Sequence, residues 1–164
     1  MIHRSRSSGD GRRRYVHLLR GSFDGLVPGR RIEPTRALFV CTHNSARSQL
    51  AAALWEQMTH ASAVSAGTHP AERVHPGAVA AGKRIGLDLA RAAPRALADV
   101  AELPALVVTV CDQAHEELKP DRSWWHWSIP DPVAVGSRAA FDATVTELRV
   151  RIGSLAPSTQ VGAL

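Results

Sequence analysis

Two textures divide the chain. From residue 36 onward, short apolar runs alternate with stretches whose apolar residues recur at helical spacing. Residues 37–40 predict an apolar strand that stops at Cys41. Residues 48–58 carry Leu50, Ala53, Leu54 and Met58 on one helical face. A second strand over 61–65 is ended by Ala66-Gly67. Pro76 opens a helix to about residue 85, with Gly86 as its stop. The run at 105–110 is the most strand-like and again ends at a cysteine, Cys111. Residues 124–129 predict a fourth strand, closed by Pro130-Asp131-Pro132. A last helix over 137–155 has Phe141, Val145, Leu148 and Ile152 on one face. Before residue 36 the pattern is polar. Residues 2–6 and 12–19 predict two short strands around the turn cluster Ser7-Ser8-Gly9-Asp10-Gly11, and 21–34 is a Gly/Pro-punctuated linker.

Alternation of strands and helices predicts an α/β fold, a parallel sheet with helices on both faces. Ligands of such sheets sit beyond the carboxyl ends of the strands. Cys41, Cys111 and Asp131 each follow a predicted strand, so one sheet edge can collect all three.

Charge then separates the two textures further. The chain of 164 residues carries 20 Lys and Arg against 15 Asp and Glu, for a net charge of +5 and a pI near 10.2. Nine arginines and only three acids lie in residues 1–36, so the remaining eleven basic residues face twelve acidic ones. The basicity belongs to the arm, and residues 37–164 form a nearly neutral domain. No apolar run approaches the roughly 18 residues of a membrane span, and no membrane partner is expected. The N-terminus lacks the apolar stretch of a secretory signal, and Gly9-Asp10-Gly11 interrupts any amphipathic transit helix. The two cysteines make no disulfide framework. A reducing, cytoplasmic setting follows, and each cysteine is then a candidate reactive thiol.

The segment Cys41-Thr42-His43-Asn44-Ser45-Ala46-Arg47-Ser48 lies between a strand and a helix. A loop closing onto a helix N-terminus gathers backbone N–H groups into one concavity, and the helix dipole adds positive potential. A tetrahedral oxyanion fits there. Arg47 supplies a planar, bidentate clamp that lysine cannot match. The same field favours the thiolate of Cys41, the form that acts as a nucleophile. Ser48 is placed to donate to that sulfur. Taken alone, Cys41 reads as a buried apolar residue; strand, loop, Arg-Ser and helix together make it a nucleophile. Asp131, between two prolines, has one carboxylate held for aiming and suits a general acid. By spacing alone it is equally a turn aspartate.

This segment resembles the phosphate loop of low-molecular-weight protein tyrosine phosphatases, and more closely that of the related arsenate reductases. The likeness continues through Val64-Ser65-Ala66-Gly67-Thr68 and Val74-His75-Pro76 to Asp131-Pro132. It implies a flavodoxin-like three-layer sandwich, with a four-stranded parallel sheet and the oxyanion loop at its C-terminal edge. It further implies Cys41 as nucleophile, Arg47 as anion clamp and Asp131 as general acid. Thr42, His43, Asn44, Ser45, Ala46 and Ser48 would bind the oxyanion and organise the loop.

Cys111 decides between the branches. The segment Val107-Val108-Thr109-Val110-Cys111-Asp112 resembles the reductase segment whose cysteine attacks the arsenic adduct and leaves a disulfide. Its bland alternative is a small apolar residue at the end of a buried strand. Thioredoxin-coupled reductases carry a third cysteine seven positions on, where this chain has Leu118. An internal three-cysteine relay is therefore excluded, and the reductant is external: a thioredoxin-type protein or a small thiol. Phosphatases of the family often carry an aromatic residue just after Asp-Pro. Here Val133 stands there, and the only tyrosine is Tyr15, in the arm.

Other candidates carry less. The eight histidines show no zinc-type spacing, so neither a metal nor a tightly bound cofactor is expected. His75-Pro76 reads as a helix entry, and Glu116-Glu117 as a solvated surface pair. Trp124, Trp125 and Trp127 read as packing before they read as an aromatic wall. Residues 4–18 of the arm resemble the wing hairpin of arsenic-responsive winged-helix repressors, which implies a truncated wing and weak, non-specific nucleic-acid contact. A disordered basic tail is the equal alternative.

The expected function is reduction of arsenate to arsenite through a Cys41 adduct resolved by Cys111. Hydrolysis of protein phosphotyrosine or aryl phosphates is the alternative, and a DNA-associated arsenic-response regulator is a third.

Overall fold

A computed structural model describes residues 2–7, 9–18 and 32–155. Most of the predicted linker, and Leu19 of the second arm strand, lie outside them. Strand β1 (Ile2–Arg6) pairs antiparallel with β2 (Arg14–Leu18) as a separate hairpin, Arg6 opposite Arg14 and Ser5 opposite Tyr15. The domain follows in the order β3 (Ala37–Cys41), α1 (Arg47–Thr59), β4 (Ala63–Gly67), α2 (Pro76–Arg84), β5 (Leu106–Thr109), α3 (Asp112–Leu118), β6 (Trp125–His126), α4 (Pro132–Val135) and α5 (Arg138–Leu155).

The four strands of the domain are parallel, in the spatial order β4-β3-β5-β6. This is the flavodoxin-like sheet. Because β3 is flanked by β4 on one side and β5 on the other, the chain leaves it in opposite directions. In such sheets ligands bind where the strand order reverses, which here is beyond the carboxyl ends of β3 and β5. Val40 pairs with Thr109, so Cys41 stands level with Val110 and Cys111 one residue beyond.

Alternation along β3 divides the core. Ala37, Phe39 and Cys41 join the cluster with Leu50, Leu54, Trp55, Phe141, Leu148 and Ile152 of α1 and α5. Leu38 and Val40 face the other way, with Ala66, Val107, Leu97 and Leu118. Both faces of β3 are buried, which explains its unbroken apolar run. Gly77 lies against the ring of Phe141, where a Cβ would come within 2.4 Å of ring carbon. His75 stacks on the same ring at 5.1 Å and caps α2 by accepting from Gly77 N–H at 3.0 Å. The His-Pro helix entry is thus also what closes α2 onto α5.

Three local differences from the sequence pattern have physical causes. The fourth strand shrinks to Trp125–His126, because its partner β5 ends at Thr109, the residue opposite His126. Helix α3 was not anticipated: at seven residues it is too short to show a periodicity. The Glu116-Glu117 pair is not simply solvated. Glu116 accepts from Ser7 Oγ (2.6 Å), Asp10 N–H (2.7 Å) and Tyr15 Oη (3.0 Å), which fastens the hairpin to α3. Glu117 meets His69 Nε2 at 2.8 Å and accepts from Thr68 Oγ1 at 3.2 Å. Trp127 is buried against Phe39, with ring centroids 5.9 Å apart, and Trp124 and Trp125 pack against the two core clusters, so these rings serve packing.

Candidate active site

The loop between β3 and α1 is shaped by what its carbonyls do. Cys41 O accepts from Thr68 N–H, Thr42 O from His69, His43 O from Ala71 and Ser45 O from His75, at 2.8–3.2 Å. Asn44 O accepts from Gln49 Nε2 at 3.1 Å, and Ala46 O from Leu50 N–H at 2.9 Å. Each carbonyl from 41 to 46 is therefore engaged with the surrounding scaffold. In a trans peptide the N–H of the next residue points opposite to the C=O. The N–H groups of residues 42–47 are thereby turned towards the concave side, where Asn44 N–H reaches Cys41 Sγ at 3.2 Å. Ala46 stands at the N-cap of α1 and offers no side-chain cap, so the helix start adds open donors to the same hollow.

Asn44 holds the loop together. It takes a positive φ of 49°, a conformation that asparagine tolerates better than most residues. Its Nδ2 donates to Ser48 Oγ at 2.8 Å, and its Oδ1 accepts from Gln49 Nε2 at 3.1 Å and Arg95 N–H at 2.9 Å. Since Ser48 Oγ accepts from Asn44, its own proton is left for Cys41 Sγ, 3.0 Å away. Gly67 closes the loop from behind. A Cβ there would stand 2.7 Å from Thr42 O and 3.1 Å from Asn44 N.

Arg47 opens α1 and is buried. One guanidinium arm donates to Ile129 O at 3.0 Å; the other lies 3.5 Å from Asp131 Oδ2. Asp131 caps α4 by accepting from Val133 N–H through Oδ1 at 3.1 Å, so its carboxylate is fixed between a helix start and the guanidinium. Asp131 stands between Pro130 and Pro132, the latter opening α4.

Cys111 reaches the same edge. Its Sγ lies 3.3 Å from Thr42 Oγ1, at the start of the loop, and accepts from Ala114 N–H at 3.4 Å as the N-cap of α3. Both cysteines are free and buried. Burial pushes the Cys111 thiol up, against the pull of the Arg47 cation; the neighbouring Cys41 pushes it further up. The thiolate form of Cys111 is thus disfavoured, and its electrostatic surroundings include both Cys41 and Arg47.

The structure therefore brings together Cys41, Arg47, Ser48, Asp131 and Cys111, with Thr42–Ala46 as the cradle. The set can accommodate a tetrahedral anion, place a sulfur against its centre, offer a carboxylic acid to a departing oxygen and hold a second sulfur nearby. Sequence reasoning gave no role to Gln49, which carries Asn44, or to the 68–75 segment that takes up the loop carbonyls. The glycine at 67 and the His-Pro at 75–76 were the visible traces of that support. Among the described residues, no group of three or more His, Cys, Asp or Glu side chains is arranged to hold a metal ion. No described helix is long and apolar enough to cross a membrane.

Comparison with known proteins agrees with this geometry. No curated protein matches the chain by sequence. Among solved structures, an arsenate reductase from Archaeoglobus fulgidus is 32% identical with a TM-score of 0.59, covering 71% of this chain and 98% of that one. The YwlE arginine phosphatase from Geobacillus stearothermophilus is 26% identical with a TM-score of 0.61, covering 74% and 90%. A thioredoxin-dependent arsenate reductase from Corynebacterium glutamicum, 24% identical with a TM-score of 0.57 over 79% and 62%, shares the fold. The family model described as low molecular weight phosphotyrosine protein phosphatase matches residues 36–163. With the loop and its surroundings, that match shows that the chain is an enzyme of the low-molecular-weight phosphotyrosine protein phosphatase family, whose fold is found in both phosphatases and arsenate reductases.

Proposed function

We propose that this enzyme is an arsenate reductase whose catalytic unit is residues 37–164, with residues 1–36 an appended arm. The loop N–H groups and Arg47 hold arsenate. The Cys41 thiolate attacks arsenic, a sulfur–arsenic bond forms, and Asp131 protonates the oxygen that leaves as water. Cys111, as thiolate, then attacks Cys41 Sγ. The sulfur–arsenic bond breaks, its electron pair stays on arsenic, and arsenite departs from a Cys41–Cys111 disulfide. The two electrons that reduce arsenic come from the two thiols. An external dithiol protein of the thioredoxin type, or two equivalents of a small thiol, returns them; position 118 is leucine, so no third cysteine of this chain does.

The observation that carries this reading is Cys111 Sγ at 3.3 Å from Thr42 Oγ1, with its ionisation sensitive to Cys41 and Arg47. Hydrolysis of a phosphate ester uses no second thiol. The likeness to the Archaeoglobus arsenate reductase adds support. The second reading, hydrolysis of phosphate esters, draws on the loop, Arg47 and Asp131, which would serve water attack on a phospho-Cys41 equally well.

Cys111→Ser separates the two. In an arsenate reductase it abolishes multiple-turnover arsenate reduction and leaves cleavage of an aryl phosphate within about threefold of wild type, since no step of the latter uses Cys111. Undiminished arsenate turnover in Cys111→Ser overturns the two-thiol mechanism. Cys41→Ser eliminates both activities; survival of either overturns the site assignment.

A further inference from the structure

The hairpin is not a loose appendage. Its turn and its tyrosine converge on one carboxylate, Glu116, in the helix that begins immediately after Cys111. Ser7 Oγ and Tyr15 Oη donate to Glu116 Oε1, and Asp10 N–H donates to Oε2. Ser7 Oγ also accepts from the N–H groups of Gly9 and Asp10, both at 3.0 Å, which ties these three residues together. Gly9 is pressed onto the first turn of α3. A Cβ there would be 3.0 Å from Gln113 Cα, 3.3 Å from Gln113 N and 2.8 Å from Glu116 Oε2. The Tyr15 ring also packs on His126 of β6, with centroids 5.0 Å apart.

Helix α3 needs such support. Seven residues are too few for a helix to persist alone. Its N-cap is the sulfur of Cys111, a weaker acceptor than the oxygen of a usual cap. Cys111 itself is wholly covered, with none of its surface exposed. A sulfur covered this fully is reached by a reagent only through local opening, and Gly9 sits on the first turn of the helix that follows it.

We propose that the β1–β2 hairpin is a clasp over the Cys111 segment, with Ser7, Gly9, Tyr15 and Glu116 as its catch, and that its release controls access of thiols to Cys111. These are positioning residues; none touches the anion cradle. The inference rests on the proposed reading for the use made of Cys111, but its test does not depend on arsenate turnover.

The test measures alkylation of Cys111 by iodoacetamide in full-length Cys41→Ser protein, where one thiol remains. Adding Gly9→Ala, which alters the hairpin alone, or Glu116→Ala, which removes the common acceptor, raises the alkylation rate about tenfold or more, as expected when hydrogen bonds to a carboxylate no longer oppose local opening. Tyr15→Phe gives a smaller rise in the same direction. Glu116→Gln keeps an acceptor oxygen and stays closer to the parent than Glu116→Ala. Glu147→Ala, which removes a carboxylate paired with Arg151 on α5, leaves the rate unchanged. The same clasp substitutions in Cys111→Ser protein leave Cys41 alkylation within about twofold, and in otherwise native protein leave aryl phosphate cleavage intact. Rates at Cys111 that do not respond to Gly9→Ala and Glu116→Ala overturn the proposal. An equal rise at both thiols also overturns it, because it reports general loosening. Failure of the reductase reading would appear separately, as absent arsenate turnover with the alkylation pattern preserved.

Discussion

Asn44→Ala tests the loop most directly. The side chain is fully buried and makes three hydrogen bonds, to Ser48, Gln49 and Arg95, at a residue with positive φ. Each consequence of truncation has a size. Gln49 Nε2 loses little, because it still donates to Asn44 O and Ala93 O. Arg95 N–H loses its acceptor, costing about 1 kcal/mol at a site that is only partly buried. The Ser48 bond contributes about 1 kcal/mol. Alanine in the left-handed region adds about 1 kcal/mol that asparagine largely avoids. The total is about 3 kcal/mol, a large share of an ordinary domain's stability of roughly 5–15 kcal/mol. Asn44→Gly relieves the backbone strain but not the lost bonds, so it costs about 2 kcal/mol. Urea titrations of the two variants against wild type measure this, with fluorescence of the buried Trp55 and Trp127 as the signal. Phosphate affinity, read by protection of Cys41 from alkylation, falls about tenfold in both, because the cradle is no longer held open. A loss below about 1 kcal/mol in Asn44→Ala, or identical stability of the alanine and glycine variants, would refute the reasoning.

Three further outcomes follow. Gly67→Ala forces a methyl to within 2.7 Å of Thr42 O, so the loop shifts and aryl phosphate turnover drops about a hundredfold, while circular dichroism keeps its native shape. Arg47→Lys keeps a charge but cannot span Ile129 O and Asp131 together; kcat/KM falls about a thousandfold, and a drop below tenfold would sink the clamp. Tyr15, the only tyrosine, is pushed up from 10.0 to about 12 by burial and by its hydrogen bond to Glu116. Absorbance at 295 nm therefore shows a single tyrosinate midpoint near 12, lower in Glu116→Ala. The folded state holds this proton where the unfolded chain has released it, so the contribution is fully present below pH 10.0 and is lost as pH rises through about 12.

How much was legible in the sequence depended on the distance over which each residue acts. The Cys41–Ser48 loop is local: strand, spacing, Arg-Ser and helix lie within a few positions, and the structure places them as that pattern implies. Asp131 was half legible: its prolines mark a turn at the end of a strand, but by spacing alone it is equally a turn aspartate, and only the loop upstream favours the site. Cys111 was half legible, since ending a buried strand and facing the loop look the same in one dimension. Glu116 was illegible. Its partners lie 101 to 109 positions upstream, and two adjacent glutamates on a short helix look like ordinary solvent-facing charge. Gln49 was hidden for a different reason: two of its three contacts are to backbone carbonyls, which leave no mark in side-chain pattern.

The outward engagement of every carbonyl from 41 to 46 also bears on how such an enzyme tells anions apart. A hollow lined with fixed N–H donors measures the shape and charge of what enters, and phosphate and arsenate differ little in either. The rigid cradle therefore does little sorting at the door. On the proposed reading, discrimination passes to what happens after the sulfur has bonded: a phosphorus adduct keeps its oxidation state and waits for water, whereas an arsenic adduct accepts an electron pair and can be expelled by a neighbouring thiol. Under the reduction proposed above, such a fold would admit both and commit only one of them, choosing its substrate by fate rather than by fit.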